Sequence, residues 1–215
     1  IYNLSNDYYN YLQINCKDKS VLDYGCGIGN TAIKVSKYNP KKITGIDISK
    51  ISIEKAIKEA KDLNLNVEYK VDNCEESSLE SESYDIVYGA GILHHLKLEK
   101  CVEEIHRVLK HNGKMIFLEP LGTNPFINLY RKLTPNSRSE DEHPLIKSDF
   151  DFLKNKYSNV EIKYYGFLTL VFFPFYKTPK NSKIFNFLAR LDQLLFKIKF
   201  MRLLAWSVLI IGKKN

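Results

Sequence analysis

Glycines and acids near the start of the chain are spaced for ligand binding. Asp23-Tyr24-Gly25-Cys26-Gly27-Ile28-Gly29-Asn30 sets glycines two residues apart, with an acid two residues before the first. Positions without a side chain let the backbone approach a ligand closely. Asp47 follows 18 residues after Gly29, and Asp72 lies further on. A carboxylate at Asp47 can accept two hydrogen bonds from a ribose diol; such charge-assisted bonds are roughly twice as strong as neutral ones. Asp72 can accept from an adenine amino group. Three acids with no neighbouring Lys or Arg make a poor phosphate site and suit a cationic nucleoside. The dinucleotide fingerprint needs GxGxxG, and Asn30 stands where its third glycine belongs, which weakens a nicotinamide or flavin reading. No GKS/T follows, which excludes a P-loop.

A second group of residues could handle protons. His94 and His95 come just after an apolar run, and His94 is the first candidate for a general base, since imidazole titrates near neutral pH. Glu119 is a candidate base or hydrogen-bond anchor. His143 lies in Glu140-Asp141-Glu142-His143-Pro144, where neighbouring carboxylates raise an imidazole's basicity. His106 and His111 fall on or after a surface helix and read as structural. Neither HExxH nor another metal-ligand spacing occurs, so no metal is expected.

These residues need strands and helices to bring them together. Lys19–Tyr24, Lys42–Ile48, Val67–Val71, Tyr84–Tyr88 and Lys114–Leu118 read as buried strands, and the first three end at the acids. Between them Thr31–Tyr38, the stretch after Ser49 and Leu98–Leu109 have helical spacing, with Asn112-Gly113 closing the last. Further on, Asn124–Leu133 and Ser148–Tyr157 read as helices, Val160–Tyr165 as a strand, Phe185–Phe200 as a helix and Ala205–Gly212 as a final strand. Alternating strands and helices predict an α/β fold: a Rossmann-like, seven-stranded, mostly parallel sheet with helices on both faces and an insertion after the fifth strand. The expected organisation is one domain over 1–215. It comprises an N-terminal helix or lid (1–18), a cofactor-binding core (19–119), a substrate-side insertion (120–183) and a last helix and strand (184–215). Tyr8, Tyr9 and Tyr11 either close over a ligand or dock their helix onto the sheet, and docking is favoured.

Composition narrows the class. The chain has 215 residues, 44% hydrophobic and 27% charged, which suits an ordinary globular domain and excludes collagen-like or wholly disordered chains. Four scattered cysteines form no CxxC pair, which argues against a zinc ribbon or disulfide scaffold and suits a reducing cytosol. No apolar run is long enough to span a bilayer. The net charge of +7 is uneven: residues 151–215 hold twelve Lys/Arg against three Asp/Glu, leaving −2 for the rest. The same stretch holds 14 of the chain's 27 Phe, Tyr and Trp residues. Phe167, Phe172, Phe173, Phe175 and Tyr176, near Lys177 and Lys180, are expected to form an interfacial patch. The expected location is the cytoplasm, with peripheral membrane contact through this basic, aromatic region.

Five segments together resemble the class I S-adenosylmethionine-dependent methyltransferases: VLDYGCGIGN (21–30), ITGIDIS (43–49), VDNCEE (71–76), YDIVYGAGILHHL (84–96) and HRVLKHNGKMIFLEP (106–120). They occur in the family's order and spacing and cover about residues 20–120. The resemblance implies S-adenosyl-L-methionine as cofactor and S-adenosyl-L-homocysteine as product. Gly25, Gly27 and the backbone around them would hold the methionine part, with Asp23 near its ammonium and Gly89 passing close by. Asp47 would bind the ribose hydroxyls, Ile48 would pack on the adenine, and Asp72 with the Asn73 backbone would read the adenine edge. Asn73-Cys74 departs from the family's more frequent small-acidic pair.

The 84–120 segment looks most like the small-molecule branch that includes quinone-biosynthesis methyltransferases. Gly89-Ala90-Gly91-Ile92 replaces the Asn/Asp-Pro-Pro-aromatic turn of enzymes that methylate nucleic-acid amines, and no Pro-Cys pair offers a nucleophile for pyrimidine C5, so nucleic acid is not expected. The expected acceptor is a small molecule with an apolar part, methylated on O, N or C. The alternative is a catalytically silent family member that binds the cofactor and serves as an assembly partner.

Overall fold

The structure is a computed structural model that describes residues 2–134, 142–170 and 182–215. Seven strands form one sheet in the order β3-β2-β1-β4-β5-β7-β6. They are β1 (Ser20–Tyr24), β2 (Lys42–Asp47), β3 (Glu68–Val71), β4 (Tyr84–Ala90), β5 (Leu109–Pro120), β6 (Ser158–Tyr165) and β7 (Ser207–Lys213). β1 to β5 are parallel, and β7 runs antiparallel to both neighbours. The Rossmann-like, mostly parallel sheet read from the sequence is the observed one.

The central strands are near-continuous apolar runs because helices cover both faces. The helices are α1 (Tyr2–Asn15), α2 (Asn30–Val35), α3 (Lys50–Asp62), α4 (Leu98–Val108), α5 (Pro125–Leu133), α6 (Lys147–Lys156) and α7 (Lys183–Leu195). Along β1 the side chains alternate. Leu22 and Tyr24 join a core with Cys101, Val102, Ile105 and Val108 of α4, while Val21 joins another with Leu4, Tyr8 and Leu12 of α1 and Ile53, Ala56 and Ala60 of α3. Ser49 starts α3 by accepting the Ser52 N–H at 3.2 Å, and Asn124 starts α5 by accepting from Phe126 and Ile127. Each replaces a hydrogen bond that a helix N-terminus lacks. Tyr8 is almost fully buried, so it docks α1 onto the sheet, the favoured of the two roles.

Three local expectations need correction. Asn112-Gly113 does not separate a helix from a strand. β5 begins at Leu109 opposite Tyr84, and residues 110–113 bulge before pairing resumes at Lys114 opposite Ile86; Asn112, at φ 63°, supplies the bulge's left-handed residue. The last helix ends at Leu195 and is followed by a 3-10 segment, Lys199–Leu204. The helix read over Ser148–Tyr157 starts at Lys147 with Ile146 as its N-cap, and the Asp149 carboxylate reaches back to accept the Ile146 N–H at 2.7 Å.

The register brings the candidate residues to one edge. Asp23 pairs with Tyr88 across β1 and β4, Asp47 with Val71 across β2 and β3, and Ala90 with Leu118 across β4 and β5. The carboxyl ends of five parallel strands therefore meet, the place where open α/β sheets bind ligands. After β5 the chain passes through α5 and returns alongside the edge in a parallel bridge between Leu121 and Leu145. Within the 120–183 stretch, α6 and β6 are part of the main core and sheet.

Candidate functional site

The bend after β1 is shaped by both protein and open space. Gly25 and Gly27 have φ of 69° and 52°, left-handed values that side chains disfavour. A Cβ on Gly25 would also lie 2.3 Å from Ile92 Cγ1. One on Gly27 would meet nothing within 4 Å, so this glycine faces free space where a ligand can come close. Asp47 fastens the bend: its carboxylate accepts the Gly27 N–H at 2.8 Å and the Ser49 N–H at 2.9 Å. Gly89 is required by the protein itself, since a Cβ there would stand 2.8 Å from the Tyr24 carbonyl and 2.7 Å from Phe117.

Asp23 lies beneath this bend, buried, with Oδ2 lacking any hydrogen-bond partner. Burial pushes its carboxyl up to about 8; the Ala32 N–H opposes the shift and the nearby Asp47 charge adds to it. An unpaired buried carboxylate oxygen is costly and favours a cation beside it. That observation, together with the open face of Gly27, fits the ammonium of a methionine-derived ligand. Ile48 is 74% exposed, available to cover a flat base.

Asp72 organises its own loop. Its oxygens accept from the Asn73 N–H at 2.8 Å and from the Ser78 N–H and hydroxyl at 2.8–3.2 Å. Asn73 is exposed, and its side chain accepts the Glu75 N–H. The Tyr24 hydroxyl donates to the Cys74 carbonyl, which ties this loop to the end of β1.

The other side of the edge is built on Glu119. This fully buried carboxylate accepts the N–H groups of Ile92 and Leu93 at 3.0 and 2.9 Å through Oε1. Its Oε2 lies 2.7 Å from His94 Nδ1. Of the two roles expected for Glu119, the contacts are those of an anchor that orients His94. His94 itself is 8% exposed. His143 contributes its main chain: its N–H donates to the His94 carbonyl at 2.6 Å, while its side chain is exposed. His106 packs edge-on against Tyr157 with ring centroids 5.6 Å apart, in keeping with a structural part. Phe172, Phe173, Phe175, Tyr176, Lys177 and Lys180 lie outside the described residues, as do Glu140 and Asp141. Sequence reasoning missed Ile92, which packs on the bend, and Tyr69, whose hydroxyl donates to the Gly29 carbonyl at 3.4 Å. Ile92 lies in the 84–96 segment and Tyr69 in none of the five, and in both cases only the fold brings the side chain to the bend.

Comparison with known proteins points the same way. Residues 21–113 match a family described as "Methyltransferase domain". A sterol 24-C-methyltransferase of Neurospora crassa is 33% identical over 115 residues, covering 52% of this chain and 30% of that protein. A ubiquinone biosynthesis O-methyltransferase of Coxiella burnetii is 29% identical over 106 residues, covering 49% of this chain and 45% of that one. The chain thus spans less than half the length of these curated relatives. Among solved structures, geranyl diphosphate C-methyltransferase of Streptomyces coelicolor superposes with a TM-score of 0.72 at 15% identity, over 98% of this chain and 78% of that one. The YcgJ protein of Bacillus subtilis superposes with a TM-score of 0.67 at 20% identity, over 98% and 99% of the two chains. These superpositions show a shared fold.

Proposed function

We propose that this chain, which carries a class I S-adenosylmethionine-dependent methyltransferase domain, moves a methyl group from S-adenosylmethionine to a small, partly apolar acceptor. The observation that carries this reading is the pairing of an open glycine face at Gly27 with the unpartnered buried carboxylate of Asp23 at the sheet's ligand edge. The family match over residues 21–113 supports it.

Bound there, the cofactor would supply an electrophilic methyl on a sulfonium, whose departure as a neutral thioether needs no acid. The chain's own residues then have three tasks. Asp23 and the Gly25–Gly27 backbone hold the amino-acid end, and Asp47, fixed to the bend, holds the ribose. Positioning an acceptor in line behind the methyl can be worth an effective molarity of about 10⁵–10⁸ M. If the acceptor is a hydroxyl or acidic carbon, His94 takes its proton, and the Glu119 carboxylate behind Nδ1 stabilises the imidazolium that results.

An apolar acceptor is supported by the relatives named for sterols and ubiquinone and by the molecular surface. α5 buries none of its residues, and its stripe Phe126, Leu129, Tyr130 and Leu133 is 57–73% exposed. The turn leading into α5 meets the 3-10 segment after α7, where the Thr123 hydroxyl donates to the Leu203 carbonyl at 3.0 Å. Phe200 of that segment is 69% exposed. In residues 123–134 and 182–206 the sole carboxylate is Asp192, which is buried, while Lys132, Lys183, Lys197 and Lys199 are basic. A cationic, apolar face suits an anionic lipid surface from which such an acceptor could be drawn. The function is tested by incubating the protein with methyl-labelled S-adenosylmethionine and a metabolite extract. Label in an organic-soluble product is expected; label that never leaves the cofactor would overturn the reading and favour a silent, cofactor-binding role.

A further inference from the structure

We infer that His94, His95 and Glu142 form a binding site for a divalent transition-metal ion on the acceptor side of the sheet edge. One ligand atom from each residue lies within 4.8 Å of the other two. Two imidazoles and a carboxylate form a donor set for Zn²⁺, Co²⁺, Mn²⁺ or Fe²⁺ that leaves positions open for water or a substrate oxygen. With metal–ligand bonds near 2.1 Å, donors around a tetrahedral ion stand about 3.4 Å apart. Modest rotation of the exposed His95 and half-buried Glu142 side chains closes the set.

The fold assembles these residues from two distant segments. His94 and His95 lie on the 3-10 turn Leu93–His95 that follows β4. Glu142 arrives on the returning chain, which is fastened at three points. The His143 N–H donates to the His94 carbonyl at 2.6 Å, the Gly122 N–H to the Leu145 carbonyl at 2.8 Å and the Leu145 N–H to the Pro120 carbonyl at 3.2 Å. Ligands drawn from segments so far apart in the chain leave no short-range spacing of the metal-site kind.

Glu119 supplies the supporting carboxylate. Its contact with His94 Nδ1 at 2.7 Å assigns the ring proton to Nδ1 and leaves the Nε2 lone pair as the donor. A carboxylate behind an imidazole is the usual support of a histidine ligand, fixing its tautomer and raising its basicity. Glu119 is itself held by two main-chain N–H groups, so the ring direction is set before any ion arrives. With the ion bound, His94 Nε2 is its ligand rather than the base, and the ion holds and acidifies the acceptor oxygen, whose proton passes to water; that part in catalysis rests on the proposed methyl transfer, whereas the ion's binding does not.

The test uses the untagged full chain titrated with Co²⁺, followed by visible absorption, with Zn²⁺ competition. Saturable one-to-one bands are expected, displaced by Zn²⁺ and abolished by His95→Ala and by Glu142→Gln. Glu119→Gln should weaken the affinity by about 10–100-fold. S-adenosylhomocysteine affinity, measured on the same variants, should match wild type and report that they are folded. Absent bands, or bands indifferent to His95→Ala and Glu142→Gln, would overturn the site. Wild type that binds S-adenosylhomocysteine but gives no Co²⁺ bands sinks this inference alone; wild type that binds Co²⁺ but not S-adenosylhomocysteine sinks the methyltransferase reading alone.

Discussion

A carboxyl group as buried as Asp23, with one oxygen unpaired, holds its proton up to about pH 8. In an unfolded chain the same group loses it near 3.9. Between those limits the folded protein binds more protons than the unfolded one, so without ligand the protein loses stability as pH rises through this window. A cation beside the carboxylate reverses the preference. Binding of S-adenosylhomocysteine at pH 7 should therefore release protons, and affinity should rise as pH approaches 8. Calorimetry in buffers of different ionisation enthalpy counts those protons; equal release by wild type and Asp23→Asn would contradict the assignment. Glu119 and His94 offer a second test. Glu119→Gln keeps the shape but removes the charge that supports an imidazolium, and His94→Ala removes the base. For a hydroxyl acceptor, His94→Ala should lower kcat by about 10²–10⁴-fold, with Glu119→Gln intermediate and KM for S-adenosylmethionine unchanged in both. Both residues were recognisable in the sequence. Their pairing was not, because it joins the ends of β4 and β5 across 25 residues.

At the scale of elements, the bend after β1 makes a prediction that separates packing from binding. Gly25→Ala places a methyl 2.3 Å from Ile92 in a left-handed residue. It should destabilise the fold by about 1–3 kcal/mol, the usual cost of overpacking, visible as a lower Tm. Gly27→Ala meets no neighbour and carries only the left-handed penalty of roughly 1–2 kcal/mol; its larger effect should be on cofactor affinity. If Gly25→Ala leaves Tm unchanged, or Gly27→Ala leaves binding unchanged, the division of labour is wrong. Strands such as Ser20–Tyr24 were legible because burial on both faces demands an unbroken apolar run. The start of β5 was not legible. Asn112-Gly113 carries the composition of a turn, and a bulge satisfies that preference as well as a turn does. The end of α7 was equally hidden: Phe196 and Phe200 continue the apolar spacing, yet the backbone changes to a 3-10 segment.

For the molecule as a whole, basic charge and exposed apolar side chains come together on α5 and the segments around α7. No helix among the described residues is long and apolar enough to cross a membrane. Flotation with anionic vesicles at low salt should carry the protein upward, and Phe126→Ser with Leu129→Ser should reduce the bound fraction. No flotation, or a self-association that these changes abolish, would reassign the face to another partner. The account's central claim is that the acid-lined strand ends and the glycine bend bind S-adenosylmethionine. Its most direct test is calorimetric titration of wild type and Asp47→Ala with S-adenosylhomocysteine and with NAD. The account predicts one-to-one binding of S-adenosylhomocysteine, weakened about 10–100-fold by Asp47→Ala through loss of charged hydrogen bonds, and no binding of NAD. Equal affinity in the two proteins, or binding of NAD alone, would contradict it.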